Sequence, residues 1–368
     1  MFVVRARQPV GAGRSWQAGR GCPPQSEPDG VLGTTGPTRE SMSPLQRDQR
    51  AGSAVARTLV RLSNAYRRVL ALFLGVIGPR AAYSILAILA RWMYRLYDPL
   101  RLRSEAQCRA ALSNRYPPDE IPRVAEQAFV HRAWNLADLM LADRLIHPGT
   151  YDRYGGRIPE PYRGLILDAQ RRRQPVILVT GYYGPFDLLP LFLGFNGIRA
   201  AAVYRPHANP DFDAYRRAIR ARSGCEMIPD TQAVSRLPQI LEKGGTVAIL
   251  SDHHAARRGI ALTFLGLETA ASRSVGLLAW HYEAVVVVAG IRRRNDAFHF
   301  EIVVSDLFEP SAWRGEDDPI LYITQRYVRA LENIVLHDPT QYLWAHARWG
   351  PDLARRLTGE VQPADAER

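Results

Sequence analysis

The stretch that decides the fold is VILVTGYYGPFD, residues 176–187. Its first five residues are an unbroken run of aliphatic and β-branched residues, which predicts a buried strand over Val176–Thr180. Gly181 and Gly184 permit a sharp turn after the strand, and Pro185 suits the first turn of a helix. The stretch therefore predicts a strand, a tight turn and a helix, which is the unit from which α/β sheets are built.

The residues that follow continue to alternate between strand-like apolar runs and helical segments. We predict strands at residues 198–204, 246–251, 285–292 and 298–304, and helices at residues 186–195, 211–223, 234–241, 274–282 and 318–337. The alternation predicts an α/β fold in which helices flank a mixed sheet. One domain over residues 101–355, with helical structure leading into it, accounts for this pattern.

The two ends of the chain differ from this domain in composition. Residues 1–52 are rich in Gly, Pro, Ser and Arg and have few large apolar residues, which predicts a disordered basic tail. A start codon placed upstream of the true one is the alternative. Residues 356–368 are predicted to form a second disordered tail.

Residues 53–100 contain two apolar runs, at 69–78 and 81–90. Each run is shorter than the roughly 20 residues that span a bilayer. Arginines precede the first run, and Arg91 and Trp92 follow the second, which is typical of helices that lie in one leaflet of a membrane. We therefore predict membrane-associated helices here, and a buried helical hairpin that packs on the α/β domain is the alternative.

Composition narrows the class of partner. The chain has 368 residues and a formal net charge of +12, and Lys243 is its only lysine. A basic chain favours anionic partners, namely nucleic acid, an anionic membrane surface or an acidic carrier protein. The sequence has no helix-turn-helix, zinc-finger or RNP-type pattern, so we predict no nucleic-acid partner. Three widely spaced cysteines without a CxxC pair indicate no zinc site, and we predict neither a metal nor a cofactor.

Four segments place polar or aromatic residues after predicted strands or at the end of the domain. They are GYYGPFD at 181–187, YRPHANPDFD at 204–213, LSDHH at 250–254 and QYLWAHARW at 341–349. In this order and spacing they resemble the lipid A late acyltransferases, a family that also contains mycobacterial phosphatidylinositol mannoside acyltransferases. The resemblance extends over about residues 54–350. Its most specific part is Tyr-Arg-Pro at 204–206 followed by Asn-Pro at 209–210.

The resemblance implies a fold, an activity and a location. The fold is a glycerolipid-acyltransferase-like mixed sheet flanked by helices and preceded by membrane-associated N-terminal helices. The activity is transfer of a fatty acyl chain from an acyl thioester, on acyl carrier protein or CoA, to a hydroxyl of a membrane glycolipid such as a lipid A precursor. The location is the cytoplasmic face of a bacterial inner membrane.

The resemblance also implies a catalytic dyad, which this sequence departs from. In the family a histidine acts with an acidic residue five positions further on. Asp187 matches the acidic residue, but Tyr182 stands at the histidine position. A phenol with a pKa of about 10 is a poor base near neutral pH. Loss of a general base typically lowers a rate by roughly 10²–10⁴-fold.

Three hypotheses address this departure. In the first, the protein is an acyltransferase that uses another base, and His253 or His254 is the candidate because both follow Asp252 at the end of a predicted strand. In the second, Tyr182 donates a proton or orients the substrate, and catalysis depends on proximity and oxyanion stabilisation. In the third, the protein is a catalytically inactive relative that binds lipid or acyl carrier.

Substrate binding is predicted for Arg205, Asp252, His346 and Arg348. Arg205 follows a strand, where a guanidinium suits a phosphate of the acceptor or carrier, and a solvated surface position is the alternative. Arg348 and His346 either bind an anionic head group or pack the end of the domain. Three arginine clusters are candidates for contact with an anionic leaflet or acidic carrier, although each also suits a solvated face. They lie at residues 171–173, 257–258 and 292–294.

Overall fold

The computed structural model of the protein describes residues 75–255, 259–346 and 348–350. The two predicted tails, most of the apolar run at 69–78 and the arginine pair at 257–258 lie outside the described residues. The domain boundaries given above therefore stay predictions.

The strands confirm the α/β expectation. In chain order they are β1 (Val176–Thr180), β2 (Ala200–Tyr204), β3 (Glu226–Pro229), β4 (Thr246–Leu250), β5 (Ile260–Phe264), β6 (Leu267–Ala271), β7 (Val285–Arg293) and β8 (Phe300–Phe308). Six of these form one sheet in the order β3-β2-β4-β1-β7-β8, while β5 and β6 form a separate hairpin. The larger sheet is parallel except for β8, which runs antiparallel to β7.

Helices cover both faces of this sheet. They are α1 (residues 75–96), α2 (Asp98–Leu112), α3 (Ile121–Leu145), α4 (Tyr162–Arg171), α5 (Leu189–Phe195), α6 (Pro210–Ala221), α7 (Asp230–Glu242), α8 (Ser274–His281) and α9 (Pro319–His337). Short 3₁₀ turns lie at Phe186–Leu188, Pro310–Ala312 and Pro339–Gln341. Helices α4 and α5 pack with Val176 and Leu178 on one face, and α8 and α9 pack with Ile177 and Val179 on the other.

Strand β1 is the centre of the sheet, as its sequence predicts. All five of its side chains are buried, because neighbouring strands β4 and β7 flank it and helices cover both of its faces. Continuous apolar runs are characteristic of parallel strands that are buried on both faces. The carboxyl ends of β1, β2, β3 and β4 consequently meet at one edge of the sheet, where α/β proteins build their sites.

Three strands were missing from the prediction. Strand β3 is only four residues long and begins with the exposed Glu226, so its sequence carries little strand signal. The hairpin of β5 and β6 follows a stretch of polar residues, and its strands contain the exposed Ala261 and Glu268. Pairing with a neighbouring strand stabilises each of these segments, and strand pairing is context that a short run does not encode.

One face of α1 attaches it to the domain. The Tyr83 hydroxyl donates a hydrogen bond to Asp138 of α3, and Asp138 forms a fully buried ion pair with Arg293 of β7. The Trp134 indole donates to the Tyr83 carbonyl over 2.9 Å. Arg293 belongs to the arginine cluster at 292–294, so the surface role expected for that cluster is wrong for its central residue: the side chain balances a buried carboxylate instead.

The opposite face of α1 is apolar and exposed. Its side chains recur at helical spacing and form a stripe of Ile85, Ile88, Leu89, Trp92, Met93 and Leu96. The helix thus packs on the domain on one side and presents apolar side chains on the other, and membrane association of this segment stays a prediction. Among the described residues, no helix has both the length and the apolar character needed to cross a bilayer.

Candidate functional site

A cavity of about 460 Å³ lies at the carboxyl edge of the parallel strands, between the sheet and helices α5 and α6. Its wall includes the polar residues Tyr182, Asp187, Arg205, Arg216 and His253. The four motif segments of the sequence thus come together because three follow neighbouring strands and the fourth binds to the first.

The inner part of the cavity is apolar. Ala202 of β2 and Ala248 of β4 are direct neighbours in the sheet register, and both line it. Because alanine has the smallest apolar side chain, the pair leaves open space beneath α5, where Leu189 and Pro190 form the facing wall. Met227 of β3 lies beside Ala202 in the register and also lines the space. This part of the cavity suits an alkyl chain.

The turn after β1 depends on its glycines. A Cβ atom on Gly184, which has a φ of 52°, would meet the Ile291 carbonyl oxygen at 1.9 Å. A Cβ atom on Gly181 would meet Asp252 Oδ2 at 2.9 Å. The same carboxylate oxygen accepts a hydrogen bond from the Tyr182 backbone N–H over 2.7 Å. Asp252 is buried and holds the turn in place, and it does not line the cavity.

The closing segment of the domain binds to this turn through its backbone. The Gly184 N–H donates to the Gln341 carbonyl over 2.9 Å, and the Leu343 N–H donates to the Tyr182 carbonyl over 3.0 Å. These bonds place His346 against the Tyr182 ring, with ring centroids 4.7 Å apart. His346 also meets His253 edge to face at 5.2 Å. Burial, followed by the charges of His253 and Arg348, lowers the pKa of His346 to about 4, so this ring is neutral at pH 7.

Tyr182 and His253 form the central polar pair of the site. The Tyr182 hydroxyl and His253 Nε2 share a hydrogen bond of 3.0 Å, and both residues line the cavity. Burial, followed by the charge of Asp252, raises the pKa of Tyr182 to about 12. Burial lowers the pKa of His253 despite the opposing effect of Asp252. At neutral pH the pair is therefore a neutral phenol and a neutral imidazole, and the imidazole is able to accept a proton.

Asp187 has other partners than the ring at position 182. One carboxylate oxygen accepts a hydrogen bond from Arg216 over 2.9 Å, and the other accepts one from Arg220. Burial raises the pKa of Asp187, but the positive charges of Arg220 and Arg216 outweigh it and hold the pKa below its ordinary value. The acidic residue of the expected dyad is ionised and joins the turn after β1 to α6.

The two neighbouring histidines face different ways. His253 lines the cavity, whereas His254 turns toward the hairpin, with its Nδ1 3.3 Å from Thr269 Oγ1. Arg348 is fully buried beside them, with Nη1 3.3 Å from the His253 carbonyl oxygen and the guanidinium over the Phe264 ring. Neither His254 nor Arg348 lines the cavity. Their positions favour His253 as the candidate base and favour packing over head-group binding for Arg348.

Arg205 lies on the outer wall of the cavity. Its side chain is largely exposed and forms an ion pair of 3.0 Å with Asp230. Arg216 and Arg220 also line the cavity, although they lie outside the four motif segments of the sequence. The sequence does contain a signal for these two arginines. Asn209 marks the start of α6, because it caps the helix by accepting hydrogen bonds from the Asp211 and Phe212 N–H groups. Arginines four residues apart within that helix share one face.

A model of the family described as bacterial lipid A biosynthesis acyltransferase matches residues 163–350. That range is just over half of the chain and contains the sheet, the turn after β1 and every residue of the cavity wall. No curated protein matches the chain. Within the described residues no group of three or more His, Cys, Asp and Glu side chains is arranged to hold a metal ion.

Proposed function

The chain belongs to the bacterial lipid A biosynthesis acyltransferase family, and from this premise we propose that it transfers a fatty acyl chain from an acyl thioester to a hydroxyl of a membrane glycolipid such as a lipid A precursor. The donor is acyl carrier protein or CoA. The observation that carries the proposal is the cavity, because its apolar interior ends at the hydrogen-bonded pair of Tyr182 and His253.

His253 is the general base of this proposal, and Tyr182 relays the proton to it. The acceptor hydroxyl gives its proton to the Tyr182 oxygen while the Tyr182 proton moves to His253 Nε2. The alkoxide then forms a bond to the thioester carbonyl carbon, the carbon–sulfur bond breaks, and the leaving thiolate takes the proton from His253. The 3.0 Å hydrogen bond and the neutral state of His253 support this route. Tyr182 alone does not serve as the base, because its pKa is raised to about 12 and the phenol therefore keeps its proton at neutral pH.

A catalytically inactive lipid- or acyl-carrier-binding protein is the second candidate. One specific observation favours it: both carboxylate oxygens of Asp187 are bonded to arginines, so the residue expected to orient a catalytic ring is engaged elsewhere. The cavity and its apolar interior suit this candidate equally well. The two candidates differ only in whether a covalent step follows binding.

Placement on the cytoplasmic face of a bacterial inner membrane is part of the proposal. The exposed apolar stripe on α1 supports it, since such a surface is costly to leave in water and suits the boundary between head groups and acyl chains. Arg91 and Arg95 lie on the same helix, where their contacts are with Gln127 and Glu126 of α3. A glycolipid acceptor would then be held in the same surface on which the protein lies.

Acyl transfer by the purified full-length protein tests the proposal, with acyl carrier thioesters or acyl-CoA as donors and lipid A precursors in vesicles as acceptors. We expect His253→Ala to lower kcat by roughly 10²–10⁴-fold, as loss of a general base does. His254→Ala is the matched control, because His254 lies outside the cavity wall, and it should keep most of the activity.

The same assay separates the two candidates. An inert wild type together with an active Tyr182→His variant would establish that the native chain is not a transferase. Equal activities of the two alanine variants would instead exclude His253 as the base.

A further inference from the structure

The cavity wall carries an excess of positive charge. Five charged side chains line it, which are Asp187, Arg205, Arg216, Arg220 and Asp230. Arg205 and Asp230 form an ion pair and neutralise each other. The remaining three are one carboxylate between two guanidinium groups, so they leave one uncompensated positive charge. The acyl chain and thioester group of a donor are themselves uncharged and would not balance it.

This excess charge is poorly solvated. The side chain of Arg220 is 7% exposed and that of Arg216 is 21% exposed. Asp187 occupies one N–H direction of each guanidinium, whereas a guanidinium has five N–H donors. The buried Nε of Arg220 has no hydrogen-bond partner among the described residues. A buried charged donor without a partner is costly, and an anion in the cavity would relieve that cost.

The apolar wall beside the arginines indicates which anion fits. Leu189, Ala202 and Ala248 line the same cavity, so a ligand able to use the whole space combines one negative charge with an alkyl chain. A phosphate monoester carries roughly −1.5 to −2 charges at pH 7 and would overcompensate the single excess charge. A carboxylate carries one charge and accepts parallel hydrogen bonds from a guanidinium.

We propose that this cavity binds a free long-chain fatty acid, with its carboxylate at Arg216 and Arg220 and its chain against Ala202 and Ala248. This proposal shares with the proposed function only the assignment of the cavity to an alkyl chain, because binding of a fatty acid requires no acyl transfer. For an active enzyme the proposal predicts inhibition by its own hydrolysis product. Fatty acid released by thioester hydrolysis occupies the donor's place and inhibits competitively toward the acyl donor.

Calorimetric titration of the full-length protein with laurate and with dodecanol, below their aggregation concentrations, tests this. The two ligands have the same chain length and differ in charge. Hydrogen bonds to charged groups contribute enough that laurate should bind at least about tenfold more tightly than dodecanol. Arg220→Gln and Arg216→Gln should reduce that ratio toward one. Arg217→Gln, an exposed arginine of the same helix that does not line the cavity, should leave the ratio unchanged.

Equal affinities of the wild type for laurate and dodecanol would overturn the proposal, and this comparison needs no variant to fold. Displacement of laurate by inorganic phosphate would also overturn it, because the anion site would then be one for phosphate. Since the titration contains no acyl donor, failure of transfer leaves this result intact. Transfer without laurate binding would remove only this inference and leave the proposed function standing.

Discussion

Replacement of Ala248 by leucine is expected to shorten the longest acyl chain that the enzyme accepts. Ala248 is buried, lines the inner cavity and faces Ala202 in the neighbouring strand. Leucine adds three carbon atoms, which would occupy the space of about three methylene groups of a bound chain. At about 0.8 kcal/mol for each buried methylene, the longest donor loses roughly 2.4 kcal/mol, or about 60-fold in kcat/KM.

The assay is kcat/KM measured across a series of acyl donors of increasing chain length. Donors shorter by three methylenes should react nearly as well as with the wild type, so the optimum shifts rather than the whole profile falling. Ala261→Leu is the matched control, because Ala261 is exposed on β5 and lies outside the cavity wall. An equal loss of kcat/KM for every chain length would refute the assignment of this space to the acyl chain.

Three further predictions concern pH, the membrane and stability. Activity should be constant near pH 7 and decline only below about pH 6.5, which is the ordinary histidine pKa. The reason is that burial lowers the pKa of His253, so the base stays neutral above that pH. A pH–rate profile with a decline centred above pH 7 would contradict this. Trp92→Glu should release the protein from anionic vesicles in a flotation assay. Val234→Glu should not, although Val234 is 69% exposed and Trp92 is 66% exposed. Equal behaviour of the two variants would exclude the α1 stripe as the membrane contact. Asp138→Asn should lower the free energy of unfolding by about 3–5 kcal/mol in urea titrations, because it leaves Arg293 buried without its partner, and a loss below about 1 kcal/mol would count against that pair as a stabilising contact.

The Tyr182→His variant would not simply restore the family's dyad. A histidine at position 182 would need Asp187 to orient it, and Asp187 is held by Arg216 and Arg220. We therefore expect this variant to depend on His253 as the native protein does. Loss of activity in the combined Tyr182→His and His253→Ala variant would agree with that dependence, and full activity would show that the new histidine works alone.

Much of the architecture followed from local sequence. The apolar run of β1, the two glycines after it and the alternation downstream predicted the α/β fold and the sharp turn that borders the cavity, because strand and turn preferences depend on neighbouring residues. The prediction failed for β3 and the hairpin of β5 and β6, which are short and partly exposed and depend on their pairing partners.

The sequence by itself determined that Tyr182 and Asp187 follow β1 and that two histidines follow β4. Only the tertiary structure decided their partners. Strand β4 lies directly beside β1, so His253 reaches the Tyr182 hydroxyl while His254, one residue further along, turns to the hairpin. Helix α6 brings its arginines to Asp187 from the other side of the cavity. The physical reason is that residue type sets what a side chain can bind, whereas the order of strands and the packing of helices set which partner lies within reach.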